Sequence, residues 1–255
     1  MSNLDPLILY RDMSFSRKEI CSYVDLTSLN SYDSVKSVQK FLDNALKLEG
    51  KGYPVAAVCL YPNFGLQGVK TLEKSKIKVA VVAGNFPNAQ GFLSTKLNEC
   101  QLVLEAGVDE VDVVLNLGEF EDGNYQSVID EIKAYKGLMP EKSLKVILET
   151  GYLKTPERIR LASELAIQGG ADFIKTSTGK EFPGASHEAV KVMASVIREN
   201  LTTRKVGLKI SGGVRTYEDA LTYFEIIEQE LGREYMTPDF LRIGASSLVE
   251  DLTND

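Results

Sequence analysis

Residues 155–177, TPERIRLASELAIQGGADFIKTS, hold one complete unit of this chain's organisation. Thr155-Pro156 reads as an N-cap followed by proline at the first helical position, where the missing N–H is harmless. A helical pattern then runs over Pro156–Gln168, and Gly169 stands where a left-handed residue ends a helix. A strand-like run, Asp172–Ser177, follows after a short turn.

The same alternation extends in both directions. Strand-like runs fall at Tyr23–Thr27, Val55–Tyr61, Lys78–Ala83, Glu110–Leu115, Leu144–Glu149, Val206–Ile210 and Phe240–Ile243. Helix-like segments between them include Ser34–Glu49, Thr95–Ala106 (with Gly107 after it), Tyr125–Lys136, Glu188–Glu199 and Tyr217–Leu231. About eight βα units at this length predict a single (β/α)8 TIM barrel spanning residues 1–255. Ser16–Ser22 is expected to form a short helix before the first strand, closing the barrel bottom. The competing architecture is an open doubly wound sheet. Its dinucleotide-binding form lacks support, because Gly50 and Gly52 make a GxG without the third glycine of the fingerprint.

Strands of a parallel barrel are buried on both faces, so a charge in mid-strand is costly unless paired or functional. Three runs carry such charges: Glu110-Val-Asp112-Val-Val-Leu, Asp172-Phe-Ile-Lys175-Thr-Ser and Val206-Gly-Leu-Lys209-Ile-Ser. Period-two alternation sends Val111, Val113 and Leu115 toward the helices and leaves Asp112 facing inward. By the same parity Lys209 shares a face with Gly207 and Ser211, and Lys175 with Phe173 and Ser177. A lone strand lysine is more often ion-paired or snorkelling than catalytic, and Lys175 paired with Asp172 or Asp112 would be such a case. Two lysines and an aspartate converging from three strands suit imine chemistry instead. At pH 7 only about one free lysine in 2,500 is neutral, and bringing its pKa down by ~3 units takes about 4 kcal/mol. Desolvation and a second ammonium supply that shift, provided the second ammonium stays charged. Asp112 would hold Lys209 in that state.

Three glycine- and hydroxyl-rich segments follow the last strands: Thr176-Ser-Thr-Gly179-Lys180, Ser211-Gly212-Gly213-Val-Arg215 and Gly244-Ala-Ser246-Ser247. Any one of them is compatible with an ordinary βα turn. Their coincidence on consecutive strands points to an anion site, in the place where barrels hold phosphate. Ser246–Leu252 is expected to form a short helix there. Gly179-Lys180 is not a Walker A ending, since Ile174 and Glu181 occupy positions that need Gly and Ser or Thr. Asp25, ending the first strand, either orients the site or caps a turn.

Composition narrows the function classes. Twenty-nine basic against 36 acidic residues give a net charge of −7, which disfavours nucleic acid and anionic membranes as partners. One histidine and three scattered cysteines leave neither a His-based zinc site nor a CxxC pair, so no metal or cofactor is expected. His187 reads as a first-turn surface residue and Cys59 as core. The N-terminal Met-Ser-Asn-Leu-Asp-Pro has no basic, apolar leader pattern, and no run reaches membrane-spanning length, so the cytoplasm is the expected compartment.

Taken together, these residues resemble the deoxyribose-phosphate aldolases, metal-independent class I aldolases. The resemblance runs from Tyr23-Val-Asp25-Leu-Thr27 to Gly244-Ala-Ser-Ser-Leu248, and Ala171–Lys180 is its most specific stretch. It implies that Lys175 forms the Schiff base, with Lys209 and Asp112 tuning it and relaying protons. It further implies that Gly179, Lys180, Gly212, Gly213, Arg215, Gly244, Ser246 and Ser247 line the substrate and phosphate pocket, and Asp25 and Thr176 are counted with them as candidate substrate-binding residues. The implied reaction is reversible cleavage of 2-deoxy-D-ribose 5-phosphate in deoxynucleoside catabolism, with a homodimer as the implied assembly. Some members end in a tyrosine implicated in proton transfer, whereas this chain ends Asp251-Leu-Thr-Asn-Asp255. The alternatives are a class I aldolase for another phosphorylated substrate and a non-catalytic phosphosugar-binding barrel.

Overall fold

Eight parallel strands close on themselves in chain order: β1 (Val24–Thr27), β2 (Ala57–Leu60), β3 (Lys78–Val82), β4 (Glu110–Val114), β5 (Ser143–Ile147), β6 (Phe173–Lys175), β7 (Gly207–Ser211) and β8 (Leu241–Ala245), with β8 pairing back onto β1. The computed structural model describes residues 15–201 and 204–254. The N-terminal hexapeptide read above and Asp255 lie outside the described residues. The helices are α1 (Arg17–Cys21), α2 (Val35–Gly50), α3 (Gly65–Thr71), α4 (Leu93–Glu105), α5 (Leu117–Glu121), α6 (Tyr125–Leu138), α7 (Thr150–Leu153), α8 (Pro156–Gly169), α9 (His187–Asn200), α10 (Tyr217–Leu231) and α11 (Leu248–Thr253). None of them is long and apolar enough to cross a membrane. The expected (β/α)8 barrel is the architecture observed.

Local chemistry explains the boundaries. The Thr155 side chain caps α8 by accepting from the Arg158 N–H, with Pro156 at the first position. The left-handed residue that ends this helix is Gly170 (φ 99°), one position beyond the expected Gly169. Gly169 has a different reason to be glycine: a Cβ there would lie 2.6 Å from Ile132 of α6. Gly107 does take the left-handed form (φ 91°) after α4. The short helix before β1 forms as expected, with a reciprocal Ser16–Glu19 capping box, and packs on α10 and α11.

Side-chain parity divides the molecule as the strand period requires. Val111, Val113 and Leu115 join the large core between sheet and helices, with Ile174, Leu208, Ile210 and Ile243. The barrel interior is split. Around β2 and β3 it holds a small apolar cluster, Ala57, Cys59, Ala80 and Val82, with Leu29 over it. From β4 round to β1 it holds charge: Glu110, Asp112, Lys145, Lys175, Lys209, Arg242 and Asp25 are all buried. Phe173 lies among them, 5.6 Å beneath the Arg242 guanidinium and 5.9 Å from the Lys145 ammonium.

Gly207 gives that ring its space. It is the register partner of Phe173, and a Cβ at this position would run into the ring. Substitution of Gly207 by valine is expected to lower stability by about 1–3 kcal/mol or more through overpacking. Urea denaturation checks it; an unchanged midpoint would contradict this account of the barrel floor.

Candidate active site

The barrel register places Lys175 directly opposite Lys209 on the adjacent strand, and Lys209 opposite Arg242. Three cations side by side are tolerable only if anions reach between them. Asp112, from β4, does so: its Oδ2 accepts from Lys175 Nζ at 2.8 Å and from Lys209 Nζ at 2.8 Å, while Oδ1 accepts from Lys145 at 3.0 Å. Lys209 also meets Asp25 at 2.6 Å. Arg242 bridges Asp25 at 2.7 Å and Glu110 at 2.9 Å, and Lys145 donates to Glu110 as well.

Partners are therefore unequal. Among the described residues Lys145 faces three carboxylates, and Lys209 and Arg242 face two each; Lys175 has Asp112 alone. The proton affinities follow. Burial, the largest influence on Lys175, takes its pKa below the ordinary lysine value. Asp112 pulls the other way, and the Lys209 charge pushes it down again. Burial disfavours charge on Lys209 too, but Asp112 and Asp25 outweigh it and hold this ammonium above the usual lysine range. Lys145 is likewise raised against its burial by Asp112, Glu110 and Asp25. Burial alone would raise Asp112, yet Lys145, Lys175 and Lys209 keep it well below the carboxylate range.

Lys175 also forms part of the wall of a cavity of about 340 Å³ at the C-terminal mouth of the barrel. Gly179 and Lys180 after β6, Gly212, Gly213 and Arg215 after β7, and Gly244, Ser246 and Ser247 after β8 all line it. Gly213 holds φ 94°, a left-handed value that glycine adopts without strain, and Ser247 leads into α11. The Lys180 ammonium reaches across the mouth to the Leu29 carbonyl and lies 5.8 Å from the Tyr61 ring.

Two expected pocket residues sit elsewhere. Asp25 is fully buried beneath the cavity, in the charge network; of its two readings, the one that orients the site fits. Thr176 points away from the barrel interior by its parity. Its hydroxyl joins β6 to β7, donating to the Ser211 carbonyl and accepting from the Ser211 N–H. Asp172 pairs with Lys136 and Arg204 outside the barrel, so Lys175 is left to Asp112. His187 is exposed at the start of α9, edge-on to Tyr223, and Cys59 is buried. The sequence reading missed Lys145, Arg242 and the inward role of Glu110. It also did not single out Thr27, Asn30 and Thr178, which line the cavity.

Comparison with known proteins now bears on this arrangement. A family description, DeoC/LacD family aldolase, matches residues 20–244. The chain belongs to the DeoC/LacD family of aldolases. Deoxyribose-phosphate aldolase of Mus musculus is 39% identical over 246 residues, covering 91% of this chain and 77% of the mouse protein. The Homo sapiens deoxyribose-phosphate aldolase is 38% identical with the same coverage. Among solved structures, a tetrameric deoxyribose phosphate aldolase from Aeropyrum pernix superposes with a TM-score of 0.74 at 28% identity, covering 93% of this chain and 91% of that one. As a DeoC/LacD aldolase the protein is a carbon–carbon lyase.

The network makes a stability prediction for this aldolase. Substituting Arg242 by methionine leaves Asp25 and Glu110 each short of a partner, and should lower stability by about 3–5 kcal/mol. A loss below about 1 kcal/mol in chemical denaturation would show that the network does not depend on this guanidinium.

Proposed function

We propose that this aldolase reversibly cleaves 2-deoxy-D-ribose 5-phosphate to D-glyceraldehyde 3-phosphate and acetaldehyde, through an imine on Lys175. The observation that carries the reading is the pairing of unlike features at one lysine. Among the described cations of the barrel interior Lys175 is the one with a single carboxylate partner, and it opens on a glycine- and serine-lined cavity of about 340 Å³, within the range of small-ligand sites. The relatives named deoxyribose-phosphate aldolase support the substrate.

Neutral Lys175 attacks C1 of the open-chain sugar, and loss of water gives the iminium. Removal of the C3 hydroxyl proton then breaks the C2–C3 bond, its electron pair flowing into the iminium to form an enamine. Glyceraldehyde 3-phosphate departs. Protonation of the enamine and hydrolysis release acetaldehyde and restore the amine. Asp112, Lys209 and water share the proton transfers. The phosphate lies against Gly179, Lys180, Gly212, Gly213, Arg215, Gly244, Ser246 and Ser247, whose backbone amides, hydroxyls and two cations suit a small dianion. This reaction belongs to deoxynucleoside breakdown.

Borohydride added with substrate should fix a reduced adduct on the peptide carrying Lys175, and a chelator should leave turnover unchanged. An adduct on another lysine, or none, overturns the mechanism. The neutral amine is the reactive form, so kcat/KM should rise with pH through the Lys175 pKa. Removing the Lys209 charge takes away a group that lowers this pKa. Substitution of Lys209 by methionine should therefore move the acid limb to higher pH and reduce kcat/KM by about 10²–10⁴. An unmoved limb would deny Lys209 its tuning role.

A further inference from the structure

Glu149, two residues beyond the end of β5, is a residue that the reaction above leaves unused. Its backbone is left-handed (φ 60°, ψ 58°), a conformation that costs a non-glycine residue energy and persists only where the surroundings enforce it. The enforcement is visible on either side. Leu148 N–H donates to the carbonyl of Lys175 at 2.8 Å, and Thr150 N–H to that of Thr176 at 2.8 Å. The chain is thus pinned to the imine-bearing strand before and after Glu149, and the turn between directs its side chain toward the loop after β6.

There the carboxylate is buried, with 3% exposure, and among the described residues it has no cation within 4.0 Å. Asp25, Glu110, Asp112 and Glu131, the other buried carboxylates, all have one. Glu149 instead accepts twice from one residue: from the Thr178 N–H at 3.2 Å and from the Thr178 hydroxyl. Burial raises the Glu149 carboxyl above its ordinary value, against the two Thr178 hydrogen bonds that favour its charge; in its ionised form the carboxylate only accepts, and the hydroxyl proton is then committed to Glu149. The free lone pairs of Thr178 Oγ1 are then available to the Lys180 N–H, which donates to it at 3.2 Å across the left-handed Gly179 (φ 74°). Thr178, Gly179 and Lys180 all line the anion cavity, whereas Glu149 is in the wall of a second cavity of about 300 Å³, which Thr178 and Lys180 also line. A neutral amide would fill the same space at less desolvation cost, but it would not fix the direction of the hydroxyl.

We infer that Glu149 is a positioning residue for phosphate recognition: acting through the Thr178 hydroxyl, it sets the Thr178–Lys180 turn that faces the anion, without touching substrate. The inference rests on the phosphate reading of the cavity given above. Its test compares Glu149→Gln, Thr178→Val and the double variant with the wild-type protein, using 2-deoxyribose 5-phosphate, unphosphorylated 2-deoxyribose, and inorganic phosphate in a calorimetric titration. The expected result is a KM for the phosphorylated sugar raised at least tenfold, with kcat within threefold. Phosphate affinity should fall by a similar factor, and kcat/KM for the unphosphorylated sugar should change less than threefold. The double variant should be no worse than Thr178→Val, as two residues in one relay require. Equal losses on both sugars, or additive effects, would make Glu149 merely structural and overturn the inference. If Glu149→Gln does not fold, Glu149→Asp, which withdraws the carboxylate from Thr178 without removing its charge, carries the same comparison. A wild-type protein that binds no phosphate overturns the phosphate reading and this inference with it. Wild-type binding that both single variants share overturns this inference alone.

Discussion

One oxygen atom, Asp112 Oδ2, carries the arrangement on which the site depends. Barrel closure puts Lys175 and Lys209 opposite each other on neighbouring strands, and this oxygen accepts from both at 2.8 Å. Around it stand four buried cations, Lys145, Lys175, Lys209 and Arg242, and three buried carboxylates, Asp25, Glu110 and Asp112. An interior of low polarity favours electrical balance, and balance needs one of the four to be neutral. The distribution of partners selects it, because only Lys175 makes do with a single carboxylate. The lowering of its pKa follows from how the barrel distributes charge as well as from its own burial.

The rest of the interior reinforces that selection. Small apolar residues, Ala57, Cys59, Ala80 and Val82, occupy the side of the barrel around β2 and β3. Burial pushes the Cys59 thiol up against the pull of the Lys209 ammonium, which suits a packing residue and not a nucleophile. Cys21 and Cys100, on the helical side, are pushed up to about 12 by burial. The lower layer of the network, Glu110 with Arg242 and Lys145, holds Asp25 and Asp112 in place from below, while the glycine-rich loops stand above. Chemistry and stability are thus separated along the barrel axis, as is usual for this fold.

Much of this was legible in the sequence, because a two-residue period in a strand buried on both faces leaves little freedom. Asp112, Lys175 and Lys209 followed from parity alone. The same parity, applied to Leu144-Lys145-Val146 and Leu241-Arg242-Ile243, would have turned Lys145 and Arg242 inward, and Glu110 shares the face of Asp112. Glu110 and Arg242 are the first and second residues of their strands, where a boundary error of one or two residues converts an interior position into a loop, whereas Lys145 stands in the middle of β5. Asp25 was ambiguous because an aspartate at a strand end also suits a turn. Thr176 was misplaced when the glycine-rich stretch was treated as one unit, although its position next to Lys175 already sent it to the opposite face. Glu149 gave no signal: its role arises from a left-handed backbone that its residue type does not announce, and from a partner 29 residues away.

Asp112 appears at first to work against the proposed reaction, since its charge favours protonated Lys175 and so opposes the nucleophile. The balance changes once the amine has reacted. Neutral Lys175 leaves three cations facing three carboxylates, whereas the iminium restores a fourth positive charge at the same nitrogen, in reach of the same Oδ2. An interaction that weakens the ground state and strengthens the cationic intermediate is the kind that accelerates a reaction instead of merely tightening binding. Desolvation and the Lys209 charge must therefore outweigh Asp112 before substrate arrives, as the lowered Lys175 pKa requires, yet not exclude it. This also accounts for the placement of Lys209 between Asp25 and Asp112. With a single carboxylate Lys209 would lose part of the support that raises its pKa, and its push on the Lys175 ammonium would weaken with it.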